Sequence, residues 1–382
     1  MLQVAVGQSC DPETDSAIVE VLAQCAKTLA GETPKAGVVF AAIDFDHAQI
    51  LQALDRAYPG MQIIGGTTDG EMSSVSGFQE DSLTVMLFSS DTIDIQAGVG
   101  RKVSADPAIA VQAAVEQATV PLTSAPKLCL TFPESLTTSG VKILTQLKYA
   151  LGSPIPIVGG TTADQNHFKQ TRQFFQTEVL SDAVPILLFA GDLLVSCGVA
   201  SGWTPIGQSS TVTKVEKNVV HEIDDRPAQE FFHRYVGDSF WDAHGLAVFE
   251  ENASNFYIRM PNRNQERQSG SVSFLADVPE QATVQIIETN RANLLAASKT
   301  SMLQALETYP GSEPIAAIFV SCCGRRLLLG LQVAEEFTAV QACSPSLTSC
   351  GFYSNGEISP FEVSGESRFH NQTLVTLLLG TR

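Results

Sequence analysis

IIGGTTDGEMS at residues 63–73 and PIVGGTTADQN at residues 156–166 are two copies of one Gly-Thr loop hung on a hydrophobic strand. CGFYSNGEISP at residues 350–360 reads as a weaker third copy. The first loop is followed by strand-like LTVMLFSSD (83–91) and IQAGVG, and the second by PILLFAGD (185–192) and SCGVASG. Fixed order at nearly fixed spacing marks a duplicated unit, with the small drift accommodated in loops. The third copy matches at Gly356-Glu357, against Gly70-Glu71, and in the apolar run TLVTLLL (373–379).

Working outward, each loop is preceded by a strand and a helix. In the first copy these are GVVFAAI (37–43) and a helical pattern over 46–58 closed by Pro59-Gly60; a further helix carries Ile18, Leu22, Cys25 and Leu29. In the second they are KLCLTF (127–132) and a helix over 139–151 with Val141, Leu144, Leu147 and Leu151. In the third, IAAIFVSCC (315–323) runs through Gly324-Arg325-Arg326 into a helix expected to present Leu327, Leu331, Ala334 and Phe337 on one face. The strands are near-continuous apolar runs, as in sheets covered on both faces. Short turns between the later strands require antiparallel neighbours. The expected fold is therefore α/β in the mixed α+β sense, with repeated β-α-β-β units in mixed sheets covered by helices.

From Gly207 the text turns polar and β-rich (TVTKVEKNVVHEI, 211–223), followed by helix-like PAQEFFHRYVG. The run NRNQERQSGS (262–271) reads as an exposed loop or hairpin, and a helix is expected near 291–307. His221, His233 and His244 show no metal-ligand spacing and read as structural.

With 382 residues, 44% of them apolar, the chain can bury one large core or two ordinary ones. Its first ten residues lack a basic leader and an apolar stretch long enough for a signal sequence. The apolar run 183–200 approaches membrane-spanning length, but Pro185, Gly191, Asp192 and Gly198 divide it into two buried strands about a turn at 190–192. Eight scattered cysteines without CxxC or disulfide-scaffold spacing point to reduced thiols and a cytoplasmic location. The net charge of −18 opposes nucleic-acid and anionic-membrane partners, while leaving room for a local cationic pocket at Arg325-Arg326.

The loops offer Gly65, Gly66, Thr67, Thr68 and Glu71 as ligand contacts, because glycine admits close approach and threonine supplies donors and acceptors. A tight turn at a sheet edge is the alternative. Neither loop fits GxxxxGK[ST] or a GxGxxG opening a helix, so nucleotide binding has no motif. Two arginines near a helix start need compensation, from Glu357 or from a ligand carboxylate held bidentately. Adjacent Cys322 and Cys323 point to opposite faces of a strand and read as core residues. Glu357, Tyr353, His370 and Asn371, together with Arg325, complete the candidate binding cluster. His370 could equally be a plain hydrogen-bond partner. There is no GxSxG or HExxH, and Ser321 or Cys322 with His370 is the combination a hydrolase or transferase would require.

At GGTTDGEMS, GWTPIGQSSTVTKVE (202–216), SCCGRRLLLG (321–330), GFYSNGEISP and FHNQT, the chain resembles the FIST family of sensory proteins. The resemblance implies an N-terminal FIST domain over 1–225, internally duplicated at about 30–100 and 120–202, and a C-terminal FIST domain over 226–382. It also implies a small-ligand sensor, with amino acids as proposed ligands and a histidine kinase, chemoreceptor or cyclic-dinucleotide enzyme as partner. Some members of similar architecture bind haem and respond to nitric oxide, which the absence of CxxCH here does not decide. The expected activity is non-catalytic ligand sensing with no required cofactor. Haem-based sensing and a Cys322 or Ser321 enzyme are the alternatives.

Overall fold

Each Gly-Thr loop ends the third strand of one structural unit, and the computed structural model contains three such units. It describes residues 2–152, 155–237, 244–249, 255–262 and 270–382. The first unit comprises β1 (Leu2–Ser9), α1 (Thr14–Leu29), β2 (Ala36–Ala41), α2 (His47–Ala57), β3 (Gln62–Thr67), the hairpin β4 (Glu71–Ser73) and β5 (Gly77–Gln79), and β6 (Leu83–Ser90). The second repeats the order as β7 (Ile93–Arg101), α3 (Pro107–Thr119), β8 (Pro126–Thr131), α4 (Gly140–Leu151), β9 (Ile157–Gly160), β10 (Gln173–Phe175), β11 (Glu178–Leu180) and β12 (Ala183–Gly191).

The third unit opens with β13 (Leu194–Ala200) and is then interrupted by an inserted subdomain. This contains β14 (Thr204–Glu216), β15 (Val219–Ile223), β16 (Arg226–Pro227), α5 (Ala228–Val236), β17 (Leu246–Phe249), β18 (Phe256–Arg259), β19 (Val272–Ser273) and β20 (Thr283–Glu288). The unit resumes with α6 (Arg291–Glu307), β21 (Ala316–Cys322), α7 (Cys323–Leu329), α8 (Val333–Gln341), β22 (Thr348–Ser354), β23 (Glu357–Pro360), β24 (Ser367–His370) and β25 (Leu374–Gly380). Most of the expected loop at 262–271, residues 263–269, lies outside the described residues.

The three core sheets share one plan. Their orders are β1-β6-β2-β3-β10-β11, β7-β12-β8-β9-β23-β24 and β13-β25-β21-β22-β4-β5, while the insertion forms a fourth sheet of its own strands, β16-β15-β14-β20-β17-β18 with β19 beside β15. Every core sheet thus takes its last two strands from another unit: the second lends its hairpin to the first, the third to the second, and the first to the third. The second and third strands of each unit run parallel, and the last strand returns antiparallel beside the second. Short turns also join β6 to β7 and β12 to β13. These turns carry the chain from one sheet to the next, so the strands they connect are not neighbours as the sequence suggested. The β12–β13 turn rests on Gly191 at φ 90°, a backbone region that favours glycine.

Burial explains the continuous apolar runs. One face of each of the three core sheets meets a shared core containing Phe40, Phe88, Phe132, Phe189, Val320 and Phe352. The other face lies under the unit's own helices, as with Val39 and Val85 beneath Val21 and Ile50. In each unit a glycine of the first strand admits the following helix. A Cβ at Gly7 would stand 2.6 Å from the Val21 carbonyl, and one at Gly98 or Gly198 would overlap the Ala114 or Ser301 carbonyl. The insertion has its own core around Phe231, Phe232 and Phe274, and docks on the third unit through Trp203, Ile258, Leu294 and Leu329.

The helix expected to follow Arg325-Arg326 on a single apolar face is broken. After α7 comes a 3-10 turn at Gly330–Gln332, with Gly330 at φ 57°, before α8 begins. The turn changes the helical phase, leaving Leu327 and Leu331 exposed while Glu336 and Phe337 are buried. Gly198→Ala should lower stability by about 1–3 kcal/mol, the usual cost of forcing an extra group into a packed core. A urea titration checks this through a lower midpoint at an unchanged slope.

Candidate functional site

A cleft of about 880 Å³ opens where the inserted subdomain meets the ends of the second and third units. Lys217, Asn218, Met260, Phe274 and Asp277 come from the insertion. Ser135, Thr138, Lys142, Asn166 and Phe168 come from the second unit, and Cys322, Cys323, Gly324, Asn355, Asn371 and Gln372 from the third. Its size falls within the usual range for small-molecule sites.

Buried carboxylates hold the walls in place. Glu134 accepts from the N–H groups of Leu136 (2.9 Å), Thr137 (3.0 Å) and Thr138 (2.7 Å), fixing the loop before α4. Asp164 does the same for Phe168 (2.8 Å), Lys169 (2.7 Å) and Gln170 (2.9 Å). Asn355 ties the third unit to the second: its Nδ2 donates to Ser135 Oγ (3.1 Å) and the Thr162 carbonyl (3.3 Å). Its Oδ1 accepts from the Cys323 thiol at 3.4 Å.

The floor is unusual in its electrostatics. The Cys322 thiol is held down to about 7, chiefly by the neighbouring Cys323 thiol. Burial opposes the shift, while the main-chain N–H groups of Gln372 and Gly324 and the Glu357 side chain add to it. Burial, reinforced by the charge of Cys322, keeps Glu357 well above the carboxylate range and therefore protonated. Asn371 Oδ1 and Gln372 Oε1 are buried without a hydrogen-bond partner, although both residues line the cleft. Unsatisfied buried amide oxygens are costly and mark places where a ligand donor would be welcome.

Of the ligand contacts expected from sequence, Asn371 reaches this cleft, as does Cys322, the thiol of the alternative enzyme reading. Arg325 is not part of its lining: it is fully buried and its donors are committed to other protein groups. Nε and Nη2 bond Glu336 Oε1 at 3.0 and 2.6 Å, Nη1 bonds the Ser201 carbonyl (2.6 Å), and Nη2 also reaches the Leu294 carbonyl (2.9 Å) and Ser298 Oγ (2.8 Å). The partner is thus Glu336 rather than Glu357 or a ligand, and the internal ion pair prevails.

Tyr353 and Ser321 also donate to Glu336, each at 2.7 Å, and belong to the same closed network. Burial alone would raise the Glu336 carboxyl, but Arg325 and the two hydroxyls outweigh it and hold the group below its ordinary value. Arg326 bonds Glu80 instead. The sequence reading missed Glu336, whose one visible signal was a carboxylate beside Phe337 on a helix face assigned to the core.

His370 lies away from the cysteines' hydrogen bonds. Its Nε2 meets the Ser359 carbonyl at 2.9 Å, Nδ1 has no partner, and burial pushes the ring down to about 4, leaving it neutral. The paired Cys or Ser with His370 therefore does not form. Glu357 lies beneath the cleft floor and accepts from Ser354 Oγ (3.1 Å) and from Thr373 N (3.1 Å) and Oγ1 (2.9 Å).

The first loop is also interior. Gly65 and Gly66 sit where a Cβ would overlap the Val39 carbonyl and the Thr162 methyl, so close packing accounts for both glycines. Thr67 Oγ1 accepts from Arg172 N (3.0 Å), and its carbonyl accepts from Ala163 N (2.8 Å). Thr68 donates to Glu71, as does Ser82 Oγ at 2.6 Å. Burial pushes Glu71 up to about 8 despite these bonds.

The fold is a three-unit α+β core with a composite cleft of small-molecule size under an inserted subdomain. Family models for the FIST N domain match residues 35–226 and for the FIST C domain residues 228–360, and the chain belongs to the FIST family. FIST domains are sensory and signal-transduction domains. An uncharacterized protein of Methanocaldococcus jannaschii is 26% identical over 197 residues, 49% of this chain and 37% of that protein, so the shared stretch spans well under half of the relative. Cyanuric acid hydrolase from A. caulinodans aligns over 100% of both chains at 9% identity with a TM-score of 0.42, too distant to bear on this chain's chemistry.

Two outcomes follow. Arg325→Ala should cost about 3–5 kcal/mol, because it strands a buried carboxylate, and thermal melting with and without ligand should show a loss of stability independent of ligand. Glu71 titrates higher folded than unfolded, so its native form binds the extra proton and its contribution is lost as pH rises from the ordinary 4.5 to about 8. Glu71→Gln, which copies the neutral acid, should therefore raise the melting temperature relative to wild type at pH 8.5, with the gain shrinking at pH 5.

Proposed function

We propose that this FIST protein is a non-catalytic cytoplasmic sensor whose small ligand binds in the composite cleft and whose signal passes to a separate partner. The carrying observation is that the cleft is built by the insertion and two core units together, so that a ligand bridging them favours one relative placement. Signalling requires such unequal binding to two conformations. The lining suits an amino acid or other small carboxylate. Lys142 and Lys217 offer cations to a carboxylate, Asp277 offers an anion to an ammonium group, and the amides of Asn355, Asn371 and Gln372 lie between. A histidine kinase, chemoreceptor or cyclic-dinucleotide enzyme is the class of partner proposed, in keeping with the sensory role of the family.

None of the described residues lining the cleft is a histidine. A haem-based reading would rest on the Cys322 sulfur, a ligand type that haem iron accepts. Calorimetric titration of amino acids and small carboxylates tests the proposal. Binding is expected, and Lys217→Ala and Asp277→Asn should each weaken it by about tenfold, or about 1.4 kcal/mol. Unchanged affinity in both variants would move the ligand out of the cleft. Silence across the panel with a Soret band on adding haemin would replace this reading with gas sensing.

A further inference from the structure

Three main-chain positions correspond across the units, because each closes its strand end with the same hydrogen bond. Ala42 N donates to the Ser82 carbonyl (3.1 Å), Glu134 N to Ala183 (3.0 Å) and Cys322 N to Thr373 (3.1 Å). The first unit places a methyl there and the second a carboxylate that braces the cleft wall. The third unit places a thiol, with a second thiol next in sequence, on the cleft floor.

Cys322 is held below the ordinary thiol value although burial opposes it. It is adjacent in the chain to Cys323, both line the cleft, and the Cys323 thiol donates to Asn355 Oδ1 at 3.4 Å. The partnerless amide oxygens of Asn371 and Gln372 stand at the same floor, available to an incoming O–H donor. Cys323 itself is raised well above the ordinary thiol value, by Cys322 and by burial, so Cys322 is the sulfur that attacks first. Cys25, Cys129, Cys197 and Cys350 are also pushed up by burial, and none of them lines this cleft.

We propose that Cys322 and Cys323 form a two-electron redox site that reads hydroperoxides entering the cleft. The Cys322 sulfur, as thiolate, attacks one peroxide oxygen: an S–O bond forms, the O–O bond breaks, and the departing alkoxide or hydroxide takes a proton from water in the cleft, leaving a sulfenic acid. The Cys323 sulfur then attacks Cys322, and its thiol proton leaves with the expelled hydroxide as water. The dithiol loses two electrons and the peroxide gains them.

Adjacent cysteines have Cα atoms only about 3.8 Å apart, closer than unstrained disulfides prefer, so the bond is readily reduced and the site can reset with a thiol reductant. Its closure draws Cys323 from Asn355, the residue that joins the second and third units at the cleft wall. The redox site does not depend on the amino-acid reading of the cleft.

The test uses the reduced full-length chain with hydrogen peroxide, followed by peptide mass mapping. The peptide containing residues 322–323 should lose two hydrogens, reversibly with dithiothreitol, at least about tenfold faster than exposed Cys10 is oxidised, because the lowered Cys322 thiol is richer in thiolate and Cys323 stands next to it to resolve the sulfenic acid. In C323S the oxidation should stop at a sulfenic acid on Cys322 that dimedone traps. Oxidation of Cys10 while the 322–323 peptide stays reduced would overturn the proposal, and so would a C323S protein that gives dimedone no adduct at Cys322. Wild-type protein in denaturant should lose the rate advantage; if it does not, the fold is not its source.

Discussion

The open edge of each core sheet is closed by a hairpin from another unit, and that exchange is the constraint on which the rest depends. The third strand of each unit would otherwise present a row of unpaired N–H and C=O groups. Instead β3 pairs with β10 through Gly66↔Gln173, β9 with β23 through Gly160↔Glu357, and β22 with β4 through Phe352↔Glu71. The exchange is cyclic, so no unit is complete alone. It crosses the boundary between the two matched FIST models, since β23 pairs with β9 and β4 with β22. Formation of the core should therefore be cooperative over the whole chain, with the insertion as the one segment that has a separate core.

That exchange also dictates where polar groups must be buried. Where a hairpin enters, its first residue lies under the donor and acceptor loops, and all three units place a carboxyl or amide there. Glu71 is held by Thr68 and Ser82, Glu357 by Ser354 and Thr373, while Gln173 donates to Thr162 Oγ1 (2.8 Å) and accepts from Ala183 N (3.2 Å). Two acids with raised values and one amide at equivalent places suggest that the position requires hydrogen-bonding shape, with charge excluded by burial. The second loop therefore does have a counterpart to Glu71. It is Gln173, displaced in sequence by the longer loop that Asp164 organises.

Much of the fold was legible because buried strands advertise themselves as apolar runs and because the Gly-Thr loops repeat. The strand-helix-strand order, the mixed sheets and the third copy all follow from those signals. The hairpin exchange left no trace in the sequence, since β4, β10 and β23 would have the same alternation whichever sheet received them. The site was less legible for a related reason. Arg325 was visible as a charge needing compensation, but its partner lies 11 positions on, behind a 3-10 turn that shifts the helical phase. Cys322 read as core because its neighbours are apolar, and only the folded chain shows it lining a cleft beside Cys323.

Near-equivalent units make their differences informative. Gly7, Gly98 and Gly198 do the same work in three places, as do the Gly-Thr turns, and such residues report on packing. Function has to reside where the units diverge, because a ligand site repeated three times would need its lining repeated as well. The divergences gather at one end of the third unit: the insertion between β13 and α6, the thiols in place of Ala42 and Glu134, and an unpartnered amide pair at Asn371 and Gln372. Placing an incompletely satisfied polar floor under a separately cored subdomain leaves the core's stability largely independent of what the cleft holds. The contacts at the cleft wall, Asn355 and the insertion's own lining, are those that join bodies rather than those that build them.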